Sequence, residues 1–336
     1  MSIISTDCDS QQPAIVVGGG QYDRTRAIQD GRAWAGGRPV RYLDLSPAEA
    51  LRRSFETHEL AAAEVSLGVL AVAFDEGRTR YRGLPAFVAR SFRHGSIFVR
   101  NDGSVLEPRN LASGRIGLPD VRLTTAIWVR GMLSDQYGLD LRSIVWTVGG
   151  IDAPAPQPAQ AAQTTPAAGA ADLVTVAAPP GRTLWQMLAD GELDAVIAAR
   201  TPAAIKQHDP RFKRMFTNFR EEEEAYFKKT GCFPPMHMIA YDTKALDSQQ
   251  AGELYEVFRR ARDMALVDLE ETAFYHVSLP WLPDDLLRAR HVMGSDLWSY
   301  GFSANRTAID TFLRYCHEQG ITRRRLEAGQ LFLHID

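Results

Sequence analysis

Short apolar runs alternate with helical segments along the first half of the chain, and this alternation narrows the fold more than any other feature. Ala14–Val17 reads as a short buried strand that ends at Gly18, Gly19 and Gly20. Tyr22–Asp30 reads as helical, and Val40–Leu45 as a second strand. Ser46 is a good N-cap for a helix over Pro47–Glu59, with Pro47 at its first position. Ala63–Leu67, Ala86–Arg90 and Ser96–Val99 follow as strands. Strands separated by helical segments predict a parallel or mixed α/β sheet.

A second series begins behind the loop Glu107–Gly114. Arg115–Leu118 is a strand that leads through Pro119 and Asp120 into a helix over Thr124–Tyr137, and Ile144–Val148 is the next strand. Residues 152–171 are almost all Ala, Pro, Gln and Thr, a low-complexity loop with no chemistry of its own. Structure is expected to resume with a strand at Val174–Val176, a helix over Gly181–Asp190 and a strand at Asp194–Ala198. The acidic run Glu221–Glu224 reads as a solvated helix face. Met236–Tyr241 is a strand, and the chain from Ser248 onward is mostly helical, broken at Pro280, Pro283 and Gly301.

Composition excludes several classes. A chain of 336 residues with 45% apolar content can bury a large core, as one big domain or two lobes. Its 38 basic and 41 acidic residues leave a net charge of −3, so the basic surplus of a nucleic-acid binder is missing. No apolar run reaches the roughly 20 residues of a membrane span. The N-terminus carries neither a cationic start nor a long apolar run, so a soluble cytoplasmic protein is expected. Cys8, Cys232 and Cys316 are too few and too scattered for a disulfide framework or a CxxC site.

Familiar motifs are scarce. Gly18-Gly19-Gly20 follows a strand but matches neither GxGxxG nor GxxxxGK[ST], so it reads as a flexible turn. The eight histidines form no HxH, HExxH or HxxxH pattern, so no metal or other cofactor is expected, although a divalent metal held by distant residues stays open. Arginines are more informative. Arg24 and Arg26 lie just beyond the first strand. Arg93 and His94 start a strand, Arg122, Thr124, Thr125 and Arg130 surround a helix start, and Arg200 ends a strand. Ligands of open α/β folds bind at such strand and helix ends, and arginine grips carboxylates in bidentate fashion. Taken together the pattern suits an anionic, carboxylate-bearing ligand, whereas any one of these arginines alone reads as a surface residue in an ion pair. His94 and His237 adjoin apolar strands; each reads either as a buried histidine with one hydrogen bond or, in a ligand cleft, as an imidazole whose ordinary pKa suits proton transfer near neutrality.

Several segments recur together, in this order, in one known family. They are Tyr22-Asp23-Arg24-Thr25-Arg26-Ala27, Phe92-Arg93-His94, Arg115-Ile116-Gly117-Leu118-Pro119, Trp128-Val129-Arg130-Gly131 and Gly191-Glu192-Leu193-Asp194-Ala195. Ala199-Arg200-Thr201-Pro202, Phe233-Pro234-Pro235-Met236-His237 and Tyr300-Gly301-Phe302-Ser303-Ala304-Asn305-Arg306 complete the set. The chain resembles the 4,5-dihydroxyphthalate decarboxylases, within the type II periplasmic-binding-protein-like folds. The resemblance covers nearly everything except the Ala/Pro insert. It departs at Gly18–Gln21 and over 152–171.

The resemblance implies an α/β protein of two lobes, with mixed sheets flanked by helices and a central cleft. Lobe I would comprise 1–108 and 236–336, and lobe II 109–235. It implies loss of carbon dioxide from a hydroxylated aromatic dicarboxylate to give a protocatechuate-like product. A ring hydroxyl para to the leaving carboxylate would push electrons to its carbon, and a general acid would protonate that carbon. His94 or His237 is the candidate acid, with His94 slightly preferred because Arg93 adjoins it. Asp23, Glu64 or the other histidine could take the phenolic proton. Arg24, Arg26, Arg93, Arg122, Arg130 and Arg200, with Thr124, Thr125 and Glu64, are the candidate binding residues. The arginines should hold the spectator carboxylate, because clamping the leaving one would stabilise the ground state. The expected partner is the small aromatic dicarboxylate, with no nucleic acid or membrane, and a homo-oligomer remains open. The alternative on the same fold is a non-catalytic binding or sensor protein for an aromatic carboxylate.

Overall fold

Extended, β-branched and apolar runs become strands, and a computed structural model of the chain describes residues 13–34, 37–155 and 173–336. The strands are β1 (Ile15–Gly19), β2 (Val40–Asp44), β3 (Ala62–Ser66), β4 (Tyr81–Gly83), β5 (Ala89–Arg90) and β6 (Ile97–Arg100). They continue with β7 (Arg115–Leu118), β8 (Val145–Val148), β9 (Thr175–Ala177), β10 (Ala195–Ile197), β11 (Phe212–Arg214) and β12 (Pro235–Asp242). The first sheet has the order β2-β1-β3-β12-β4, with β5 also on β12. Here β1 runs parallel to β2 and β3, whereas β12 is antiparallel to its neighbours. The second sheet has the order β11-β6-β10-β7-β8-β9 and is also mixed. This is the two-lobed α/β architecture expected, each sheet covered by helices.

The lobe border falls earlier than the expected position 109. Strand β6 pairs with β10 and β11 in the second sheet, so the chain crosses between Arg90 and Ile97. An apolar run such as Ile97–Val99 reports a strand, but its period does not say which sheet it joins. The chain returns through the helix Phe219–Thr230 into β12. Most of the 152–171 insert, from 156 on, lies outside the described residues.

Helices differ from expectation where burial or a turn overrides the pattern. The segment after Ser46 is helical only over Pro47–Leu51 and then widens into a π turn, Arg52–Glu56. The Ser54 hydroxyl bonds back to Ala50 O at 2.5 Å, and Thr57 N–H reaches Arg52 O at 3.2 Å. Helix Leu67–Asp75 (LGVLAVAFD) follows β3 without a break and is buried almost all round. With no polar face it has no amphipathic period to read. Glu221–Glu224 is not a plain solvated face: Arg288 holds Glu224 at 2.6 Å and Glu221 at 3.1 Å, while Glu223 accepts the Gly95 N–H at 3.2 Å.

The helix Thr124–Tyr137 joins the lobes. Trp128 packs into the first core, against Phe312 and Tyr315. Val129 and Met132 belong to the second core. Among the described residues no helix is long and apolar enough to cross a membrane.

Candidate active site

Strands β3 and β12 set the register from which the site is built. Glu64 pairs with Ile239 and Ser66 with His237, so Glu64 and His237 sit diagonally on one sheet face. Their side chains meet, with His237 Nδ1 2.5 Å from Glu64 Oε1. The Tyr22 hydroxyl donates to the same oxygen at 2.7 Å, and Gly20 N–H donates to Oε2 at 2.8 Å. Burial alone would raise the Glu64 pKa, but these bonds outweigh it and hold the carboxyl below its ordinary range. An ionised carboxylate only accepts, so Nδ1 carries the proton and Nε2 is the free nitrogen. Glu64 is 1% exposed at its side chain and His237 27%, so the imidazole is the member that reaches the cavity.

The glycines before Tyr22 are therefore not a phosphate loop. A Cβ on Gly19 would come within 2.5 Å of the Tyr42 hydroxyl and 3.1 Å of Glu64 Cβ. Small residues here let the backbone lie against the Glu64 carboxylate. Tyr42 fixes that turn by donating to Gly20 O at 2.8 Å.

The cavity encloses about 650 Å³ between the lobes. Glu64, Ser66, Arg93, Arg122, Thr124, Thr125 and His237 line it. Arg93 comes from the first crossing. Its Nε donates to Met236 Sδ at 3.2 Å and its Nη1 to Ala199 O at 3.5 Å, and among the described residues no carboxylate pairs with it. Burial pulls its pKa down to about 10, so it stays charged at neutral pH. Helices Leu67–Asp75 and Thr124–Tyr137 both start at this cavity. The positive dipole ends of both helices favour an anion there. Arg122 reaches Glu76 at 4.0 Å, the carboxylate that Arg78 also binds.

The other candidates lie elsewhere. His94 is 2% exposed, edge-on to Tyr137, Phe216 and Tyr226, and does not line the large cavity. Burial pushes its pKa down to about 4, and among the described residues its Nδ1 has no partner. Arg24 is bound to Asp23 at 2.7 Å and to Val88 O, and stacks on Tyr22 and Trp298. Asp23 and Arg26 border a separate small hollow beside the helix Ser248–Glu270. Arg130 is fully buried, bonded to Ala126 O and Val121 O. Arg200 is exposed just past β10. Sequence reasoning passed over Tyr22, Ser66, Arg78 and Met236. Ser66 carried a usable signal, a hydroxyl at a strand end before an apolar run.

The geometry can hold a carboxylate beside Arg93 and the helix starts, and it presents a carboxylate-backed imidazole to the same space. Among the described residues no three His, Cys, Asp or Glu are grouped to hold a metal ion. No family model matches the chain. A 4,5-dihydroxyphthalate decarboxylase of Comamonas testosteroni is 34% identical over 316 residues, 93% of this chain and 94% of that protein. A 4,5-dihydroxyphthalate decarboxylase of Pseudomonas putida is 33% identical over 197 residues, 59% of this chain and 74% of that protein. In fold, the chain is similar to the alkanesulfonate-binding protein SsuA of Xanthomonas axonopodis pv. citri bound to MOPS. That likeness has a TM-score of 0.52 at 9% identity and covers 96% of this chain and 99% of that one.

Proposed function

The chain belongs to the 4,5-dihydroxyphthalate decarboxylase family, and from that premise we propose that His237, backed by Glu64, protonates the ring carbon from which the carboxylate leaves. The protein is a carboxy-lyase of a hydroxylated aromatic dicarboxylate, converting 4,5-dihydroxyphthalate to protocatechuate. A phenyl carbanion is too unstable to form directly. The hydroxyl para to the leaving carboxylate pushes electrons into the ring, and that carbon then accepts a proton from imidazolium. Carbon dioxide departs as aromaticity returns, and the phenol keeps or regains its proton. Per turnover, one proton enters the ring and one carboxylate leaves as carbon dioxide.

Arg93 and the two helix starts take the spectator carboxylate. The single observation that carries the assignment is the 2.5 Å contact between His237 Nδ1 and Glu64, which orients the ring and turns Nε2 to the cavity. His94, neutral near pH 7 and caged by aromatic rings, is a poor donor.

The test is turnover of 4,5-dihydroxyphthalate by purified, chelator-treated protein in heavy water. Carbon dioxide and deuterium at the vacated carbon are followed. His237→Ala should cut kcat by about a hundred- to ten-thousandfold with affinity largely kept. Near-normal turnover by His237→Ala would refute the acid role. Tight binding without any turnover by the parent protein would favour a sensor.

A further inference from the structure

The cavity is larger than the substrate named above requires. One ring bearing two carboxylates and two hydroxyls needs roughly 200 Å³ at protein-like packing density, against about 650 Å³ present. Glu64, Ser66, Arg93, Thr124, Thr125 and His237 gather in one part of the lining, where β3, β12, the first crossing and the helix start at Thr124 meet. Away from it, Leu51, Phe55, Val69, Val72 and Ala73 form an apolar wall, bordered by the charged side chains of Glu56 and Arg78. Val69, Val72 and Ala73 follow the i, i+3, i+4 spacing of one helix face, and Leu51 and Phe55 lie one turn apart on the neighbouring segment. Phe55 is held rigid by stacking on Tyr81, with ring centroids 5.1 Å apart and planes 15° apart. It sits in the π turn Arg52–Glu56, a distortion that often accompanies functional sites.

We propose that this wall is a second subsite, contiguous with the catalytic one, that takes an apolar substituent on the ring of a dihydroxyphthalate. The inference rests on the decarboxylase reading. The substrate class is a 4,5-dihydroxyphthalate that also carries a short alkyl group on a ring carbon. Such a molecule keeps what the chemistry needs: a carboxylate for Arg93, a hydroxyl para to the leaving carboxylate, and a carbon for His237 to protonate. Its alkyl group replaces water along an apolar wall. Each buried methylene stabilises binding by about 0.8 kcal/mol, or roughly fourfold in affinity.

The experiment compares 4,5-dihydroxyphthalate with its 3-propyl derivative, by kcat/KM and by calorimetric affinity. The propyl compound should bind at least tenfold more tightly. Leu51→Trp, which fills the subsite from its half-buried edge, should abolish that gain while holding the unsubstituted compound within about twofold. Ala73→Leu fills the same space from the other helix and serves if Leu51→Trp does not fold. Equal or weaker binding of the propyl compound, or a gain that survives both substitutions, would overturn the subsite. If neither compound is turned over, the decarboxylase reading fails. The two affinities still decide the subsite.

Discussion

The Thr124 hydroxyl accepts the Gly68 N–H at 3.0 Å and lies 2.8 Å from the Ser66 hydroxyl, tying together the starts of two helices that both open on the cavity. One helix leaves the first sheet at Ser66, and the other follows the second sheet at Leu118. Gly68 makes the approach feasible: a Cβ there would come within 2.9 Å of Arg122 O. This contact sets the spacing between two positive helix ends that would share one anion.

Thr124→Val keeps the side-chain shape but removes the acceptor. It strands the Gly68 N–H where both residues are buried. Stability should fall by about 1–3 kcal/mol, measured by urea unfolding. KM for the dicarboxylate should rise as the helix starts move apart. Thr124→Ser, which keeps the hydroxyl, should restore most of both losses.

Tyr22 should act as a positioning residue for Glu64. Burial and the nearby Glu64 charge push its phenol pKa well above the ordinary 10, so it remains a donor. Removing that hydroxyl in Tyr22→Phe leaves Glu64 with the Gly20 N–H and His237 only, and a less stabilised carboxylate is more basic. The Glu64–His237 contact should change geometry, and kcat should fall while KM is largely kept. The His237 Nδ1–H resonance should shift in the ligand-free protein as well. A drop in kcat with an unchanged resonance would reduce Tyr22 to packing.

His94 predicts a pH dependence of stability rather than of catalysis. Burial lowers its folded-state pKa from 6.5 to about 4. Between those values the unfolded chain binds a proton that the folded one does not, so stability falls as pH drops from 6.5 toward 4. At 1.36 kcal/mol per unit, the loss is on the order of 3 kcal/mol. Urea unfolding of wild type and His94→Gln at pH 7.5 and 4 should show the wild type losing more by about this amount. Equal losses would mean that the imidazole protonates in place.

Much of the architecture was legible because its signals are local. Ser46 with Pro47 marked a helix start, and Arg115–Leu118 followed by Thr124 marked a strand and the helix behind it. The helix Leu67–Asp75 was not legible, since an almost wholly apolar helix has no polar face to mark its period after the strand before it. The same limit applied to the site. Glu64, Arg93, Thr124 and His237 could be named from residue type and position, but their meeting depends on the pairing of β3 with β12. Arg24 and Arg130 carry the right chemistry for a carboxylate, yet Val88 O and Asp23 claim the first and Val121 O and Ala126 O the second. No single-chain pattern reports which arginine is already occupied by its own protein.

Among the described residues, Arg93 is the guanidinium lining the buried part of the cavity that no carboxylate pairs with, and the product offers a way to learn which carboxylate it holds. Protocatechuate retains only the spectator carboxylate. If Arg93 grips that group, Arg93→Gln should weaken substrate and product alike, by about 2–5 kcal/mol for a buried charge pair. If it gripped the leaving carboxylate, product affinity would be untouched, and the clamp would stabilise the ground state against reaction. Arg93→Lys should recover little, because a point charge cannot reproduce a planar fork that already spends its Nε on Met236 Sδ at 3.2 Å. Calorimetric titration of protocatechuate into wild type, Arg93→Gln and Arg93→Lys measures this directly, with kcat/KM for the dicarboxylate in parallel. Parallel losses in both are the expected result; a loss confined to the dicarboxylate would move Arg93 to the departing group.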